Sequence, residues 1–282
     1  MKGHRQIFKV VEMAAVLQVS RSGYYRWLHQ PQSRRAQVNQ QLWDAITQVY
    51  VRHQGCYGSP RITDELHDQG RHCGRHRVAR LMREHGLQAK AARRFKVTTQ
   101  SDHVEPVAPD LVQRQFRADQ ANALWLSDIT YIWTDERWIY LAAILDVYNR
   151  KVVGWCLSDR LTKEMVLSAI RQAIDRERPD GGLILHSDRG CQYASQAVRE
   201  LLAKEHIRQS MSGKGNCYDN AMMESFFHTV KVERIHHEKY HTRSQARQSI
   251  FEYIEVYYNR QRKHSALGYV APMQFGQMEK VA

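Results

Sequence analysis

Nowhere in the 282 residues is there a run of 18 apolar side chains, which argues against a membrane-crossing helix. Cysteine is scarce and odd in number: five, at positions 56, 73, 156, 191 and 217, too scattered for a disulfide framework and suited to reduced thiols. The opening Met1-Lys2-Gly3-His4-Arg5-Gln6 is basic, but no apolar segment of a secretory signal follows it. A cytoplasmic protein is therefore expected. There is no internal repeat, no low-complexity tract, and no a/d heptad pattern sustained over three or four repeats. Acidic residues are rare in one part only. Residues 1–100 hold 18 Lys+Arg against 6 Asp+Glu, whereas residues 101–282 hold 24 against 23. Nearly all of the net +13 thus lies in the first third, which points to a nucleic-acid-binding module ahead of a near-neutral body.

Helical signals fill that basic third. Val10, Val11, Ala14 and Leu17 give one apolar face, Gln18-Val19 makes a turn, and Ser20 can cap a second helix with Tyr24, Tyr25 and Leu28 inward. Arg21 and Arg26 would project from that second helix as a recognition helix does, although a short hairpin packed on something else has the same pattern. After Pro31-Gln32-Ser33 a second unit begins, with Leu42, Ile46 and Val49 at helical spacing. Ser59-Pro60 starts its next helix, and a third spans about 74–85. Arg75, Arg77, Arg80 and Arg83 on that third helix suit a phosphate-tracking surface. His53, Cys56, His72, Cys73 and His76 resemble zinc-ligand pairs, yet His72 and Cys73 are adjacent and the two-pair spacing is missing, so zinc is not expected.

Three acids organise the rest: Asp128, Asp188 and Glu224, with 59 and 35 residues between them. Asp128 interrupts an apolar, aromatic run (124–133) that reads as a buried strand, Asp188 closes a second apolar run (182–188), and Glu224 lies early in a helix after the Gly213–Asn216 turn. A carboxylate inside an apolar strand is costly unless it is paired or binds a cation. Three of them suggest hard-cation ligands able to hold two Mg²⁺ or Mn²⁺ ions. Spacing alone leaves open that they are unrelated acids, one of 29 being as good as another. Asp146, on the neighbouring strand, is set apart as a structural acid facing Arg150 or Lys151.

The local sequences narrow the choice. His186-Ser187-Asp188-Arg189-Gly190-Cys191-Gln192-Tyr193, Asp219-Asn220-Ala221-Met222-Met223-Glu224-Ser225-Phe226-Phe227, Tyr57–Ile62 with Arg77–Met82, and Tyr258-Asn259-Arg260-Gln261-Arg262-Lys263-His264 are long and specific. Together they closely resemble the second open reading frame product, the catalytic subunit, of insertion-sequence 3 family transposases, over nearly the whole chain. The resemblance implies an α/β, RNase H-like core of the retroviral integrase type behind an all-α helix-turn-helix region. The expected domains are a helix-turn-helix (1–36), a second helical DNA-binding domain (37–100), a linker (101–120), the catalytic core (121–239) and a helical tail (240–282).

It also implies metal-dependent DNA cleavage and strand transfer by a 3′-hydroxyl, with Asp128 bridging two Mg²⁺ (or Mn²⁺) ions and Asp188 and Glu224 holding one each. Lys231, two turns beyond Glu224, would contact DNA near the reacting end, and Asn220 would support the site. Arg260 and Arg262 in the tail would touch DNA, or pack on an acidic surface of the core. Expected partners are double-stranded DNA (terminal inverted repeats and target), further copies of the chain, and an upstream helix-turn-helix and coiled-coil segment joined by frameshifting. A hydrolytic RNase H-like nuclease, or a DNA-binding regulator with a dead core, are the alternatives. The first would not need the large basic front end, and the second should have lost an acid.

Overall fold

The computed structural model describes residues 1–29, 33–90, 107–213 and 221–278. The chain divides into two compact units, Met1–Ala89 and Lys90–Ala282.

The first unit is helical: α1 (Val10–Val16), α2 (Arg21–His29), α3 (Arg34–Arg52), α4 (Ser59–Asp68) and α5 (Arg75–Glu84). Ser20 Oγ accepts from Gly23 N at 2.9 Å, the cap expected for α2. The apolar face expected on α1 is largely open. Only Ala14 is buried, Val11 and Leu17 are more than half exposed, and on α2 Tyr24 is buried while Tyr25 is exposed. Helices of seven and nine residues offer too few turns to cover one another. By contrast α3, α4 and α5 close a core in which Ile46, Val49, Ile62, Leu66 and Val78 are fully or almost fully buried. Ser33 caps α3, Pro60 sits in the first turn of α4, and Gly70 and Gly86 take the left-handed conformation after α4 and α5.

The second unit is built on a five-stranded sheet of order β3-β2-β1-β4-β5: β1 (Leu124–Thr134), β2 (Arg137–Asp146), β3 (Val152–Ser158), β4 (Ile184–Ser187) and β5 (Arg208–Met211). The first three strands form an antiparallel meander, and β4 and β5 add in parallel. Helix α6 (Lys163–Glu177) makes the crossover from β3 to β4, while α7 (Cys191–Ala194) and α8 (Gln196–Lys204) connect β4 to β5. Central β1 is apolar on both faces because both are covered. Leu124 and Leu126 pack with α9 (Ala221–Glu233) and α10 (Arg243–Phe251), and Trp125 between them packs with α6 and α8. α6 approaches β3 so closely at Gly154 that an added Cβ would lie 2.3 Å from the Ala169 carbonyl oxygen.

α10 runs on into a π-helical stretch, Glu252–Tyr258, and the last described helix is α11 (Pro272–Met278). The Asn259 side chain pairs with the backbone of edge strand β3 like a short extra strand, accepting from Val152 N (2.9 Å) and donating to Val152 O (3.0 Å).

Candidate active site

Parallel pairing places the first two acids. Ser127 on β1 registers with Ser187 on β4, so Asp128 and Asp188 each follow a registered residue on adjacent strands, at the carboxyl end of the parallel pair. Strand alternation puts Asp128 on the same face as Leu124 and Leu126, the face on which α9 packs. Glu224 lies in the first turn of α9, and Lys231, seven residues on, lies on the same side of that helix. Asn220 falls outside the described residues.

The acids feel one another. Burial, then repulsion from Asp188, and to a lesser degree from Glu224, push the Asp128 carboxyl up to about 8, against its hydrogen bond from Ile129 N (2.7 Å) and the attraction of Lys231. Partial burial raises Glu224. Burial lowers Lys231, while attraction to Asp128 opposes that shift, and its ammonium lies 5.4 Å from the centroid of the Tyr131 ring. Asp188 Oδ1 accepts from Gly190 N at 2.9 Å. Among the described residues no three His, Cys, Asp or Glu side chains are grouped to hold a metal ion as they stand. Two of the carboxylates are satisfied by backbone N–H groups, and Glu224 is exposed on its helix. The donor chemistry nonetheless fits a hard cation: the Asp128 carboxylate, repelled by the charges of Asp188 and Glu224, with Lys231 near it.

Tyr193, to which the sequence assigned no role, underlies the site. Five residues past Asp188, it is buried close to both acids, and its hydroxyl is 2.8 Å from Ser127 Oγ. Burial and then the nearby Asp128 and Asp188 raise its phenol well above the ordinary range. The bond ties α7 to the residue preceding Asp128. The available signal was a large aromatic with a hydroxyl to satisfy, placed within the motif around Asp188.

Asp146 is a structural acid, as expected, but not through an ion pair with Lys151. Fully buried, it accepts from the backbone N–H groups of Asn122 (2.7 Å), Tyr148 (2.8 Å) and Asn149 (3.4 Å), and burial raises it to about 6. Lys151 pairs instead with Glu177 at 2.5 Å.

The expected DNA-contacting cations divide. Arg21, Arg26, Arg75, Arg83 and Arg260 are exposed, and Arg77 and Arg80 are half-buried. Arg262 does not face outward. It is 4% exposed, and its Nε and Nη2 each donate at 2.8 Å to Glu233 at the end of α9. Burial alone would lower its pKa, but the hydrogen bonds and charge of Glu233 more than offset that. Of the two roles open to the tail, Arg262 takes the one on the core. His53 stacks on Tyr57 with ring centroids 3.8 Å apart, and His76 is exposed.

Known proteins bear on this arrangement. An integrase core domain model matches residues 118–217, and a second integrase core model matches 224–279. An HTH-like domain model matches 37–95, which covers most of α3 and all of α4 and α5. Fold and site together define a DDE-type polynucleotidyl transferase. The chain is 44% identical over 263 residues to the insertion element IS600 uncharacterized 31 kDa protein of Shigella sonnei, covering 93% of this chain and 97% of that protein. It is 41% identical over 274 residues to transposase InsF for insertion sequence IS3A of Escherichia coli (strain K12), covering 96% and 95%. The chain belongs to the insertion-sequence 3 family of transposases, proteins of DNA transposition. Among solved structures, the HTLV-2 integrase catalytic core in complex with magnesium is a slighter likeness, 16% identical with a TM-score of 0.43 over 57% of this chain and 99% of that one. Among the described residues no helix is long and apolar enough to cross a membrane.

Proposed function

We propose that this transposase cuts DNA at the ends of an insertion sequence and joins the freed 3′-hydroxyl to target DNA by transesterification, with Asp128, Asp188 and Glu224 as the catalytic, metal-holding acids. The observation that supports this reading is that Asp128 and Asp188 follow registered residues on adjacent strands, with Asp128 pushed up to about 8 by burial first and then by the charges of Asp188 and Glu224. Carboxylates so placed repel one another until a cation sits among them. Mg²⁺ or Mn²⁺, two per site, would supply Lewis-acid activation of the attacking hydroxyl and charge relief on the phosphate.

The chain's own residues then have separate tasks. Asp128 and Asp188, on neighbouring strands of a rigid sheet, fix the ligand positions. Glu224 brings in the third carboxylate from α9, with Asn220 just ahead of it as support. Lys231 places a cation beside Asp128, where a bound DNA end presents its phosphate. Arg21, Arg26, Arg75, Arg77, Arg80, Arg83 and Arg260 hold DNA through its phosphates. Two DNA ends must be held together for joining, so the working form is a dimer or larger, assembled with the upstream coiled-coil segment in a frameshift fusion. The expected domains and the cytoplasmic, nucleoid-associated setting belong to the same reading.

A strand-transfer assay with a pre-cleaved donor end tests it. Asp128→Asn, Asp188→Asn and Glu224→Gln should each lose activity by several orders of magnitude in Mg²⁺ while DNA binding stays near normal. Cleavage without any joined product would favour a hydrolytic nuclease instead.

A further inference from the structure

The helical unit contains a groove of about 630 Å³ between the first turn of α3 and helix α5, lined by Arg34, Arg35, Val38, His76, Arg77 and Arg80. Four of these six side chains are guanidinium groups, and none is a carboxylate. Arg77 is preset, since its Nε and Nη2 both donate to Asn39 Oδ1, at 3.0 and 2.6 Å. Arg80 Nη1 meets Glu84 Oε1 at 3.2 Å, an i,i+4 pair that uses one of its five donors.

We propose that this groove seats one phosphodiester strand of double-stranded DNA, and that it positions the helical unit without reading sequence. The inference rests on the reading of this unit as DNA-binding and adds Arg34 and Arg35, on a different helix, to the cations of α5. Four guanidinium groups gathered in a concave surface repel one another and focus a positive potential, which an anionic ligand relieves. Guanidinium forks match phosphate oxygens two at a time, and a row of them across two helices suits successive phosphates better than a single ion. Among the described lining residues none is an Asn or Gln, the side chains that pair with adenine, and the nearby Asn39 oxygen is already taken by Arg77, itself one of the groove's guanidinium groups. Phosphate contacts of this kind fix register on the duplex and carry no sequence information.

The test measures affinity of the full chain for a random-sequence duplex by fluorescence anisotropy across a salt series. Arg34→Gln with Arg35→Gln should lower the slope of log K against log salt by about 1.8, at about 0.9 for each phosphate no longer neutralised. Arg52→Gln with Arg71→Gln removes the same charge from exposed positions of the same unit outside the groove and should leave the slope within error. Asn39→Ala, which frees Arg77 without changing charge, should weaken binding several-fold while most of the slope remains. Equal slope reductions in the two double variants would overturn the groove and leave a diffuse basic surface, with the DNA-binding reading intact. A wild-type chain with no salt dependence would sink that underlying reading itself. Displacement of the duplex by inorganic phosphate, beyond the effect of its ionic strength, would make this a small-anion site and overturn the proposal.

Discussion

Arg262 grips Glu233 with two parallel hydrogen bonds of 2.8 Å, Nη2 to Oε1 and Nε to Oε2, and the pair is buried where the C-terminal tail meets the end of α9. Tyr253 adds a third bond to the same carboxylate, also at 2.8 Å, from the π-helical stretch of the tail. α9 carries Glu224 and Lys231, so the tail fixes the far end of the helix that bears them.

Removing one partner of such a pair leaves a buried charge without its counterion. Arg262→Ala should therefore cost about 3–5 kcal/mol in urea-induced unfolding. Replacing the whole group at once, Arg262→Leu with Glu233→Met and Tyr253→Phe, should recover most of that stability, because packed apolar groups avoid the desolvation cost and no buried hydroxyl is left without its acceptor. A cost under about 1 kcal/mol for Arg262→Ala would show that the pair does not form in solution.

Gly154 gives a second stability prediction from close approach alone. A methyl group there meets the Ala169 carbonyl oxygen at 2.3 Å and Ala173 Cβ at 2.8 Å, both in α6. Helix backbone cannot yield as a flexible side chain can, so Gly154→Ala should cost about 1–3 kcal/mol or more, measured by thermal or urea unfolding. The neutral comparison is Gly181→Ala, where nothing lies within 4 Å of the added methyl and φ is not positive.

Much of the catalytic unit was legible because its signals are local. The strand runs around Asp128 and Asp188 have strand length and strand composition, and the structure places β1 at Leu124–Thr134 and β4 at Ile184–Ser187. The long motifs around the acids carried the fold class. Pairings that depend on distant partners were not legible. Nothing near Arg262 in the sequence says that Glu233, 29 positions back, will face it, and a basic segment reads as solvent-facing by default. The π-helical stretch is equally silent, since Ile250, Ile254 and Tyr257 fit ordinary helical spacing. For Asp146, charge suggested Arg150 or Lys151 as partner; Arg150 feels its charge, but the hydrogen bonds come from three backbone N–H groups. The open face of α1 shows the limit of periodicity: a helical pattern says which residues share a side, not that something covers it.

Charge distribution predicts how the work is divided along the chain. Residues 1–100 hold 18 Lys+Arg against 6 Asp+Glu, so deleting them should weaken DNA binding strongly and flatten its salt dependence. Equal affinity and equal slope for the truncated chain would refute that division. Joining the upstream coiled-coil segment to the intact chain should act differently, raising end preference and strand transfer at matched salt. An isolated chain that pairs and joins ends as well as the fusion does would show that its own helices suffice.

The most direct test of the metal reading needs no DNA. In the folded chain Asp128 titrates at about 8, whereas a free aspartate titrates near 3.9. Between those values the unfolded chain has given up the proton and the folded chain keeps it, so the folded state binds more protons and stability falls as pH rises. In EDTA, the wild type should thus lose stability relative to Asp128→Asn between about pH 4 and pH 8, the difference isolating this residue from Asp146, which is common to both. A divalent cation that occupies the site favours the ionised carboxylate, so Mg²⁺ should stabilise the wild type most at the alkaline end. At a hundredfold excess over Kd that amounts to about 2.7 kcal/mol. Asp128→Asn should keep only the smaller fall that Asp146, raised to about 6, gives to both proteins, and should show no rescue. Were Mg²⁺ to stabilise the wild type and Asp128→Asn equally, Asp128 would not be a metal ligand, and the cation would be binding elsewhere.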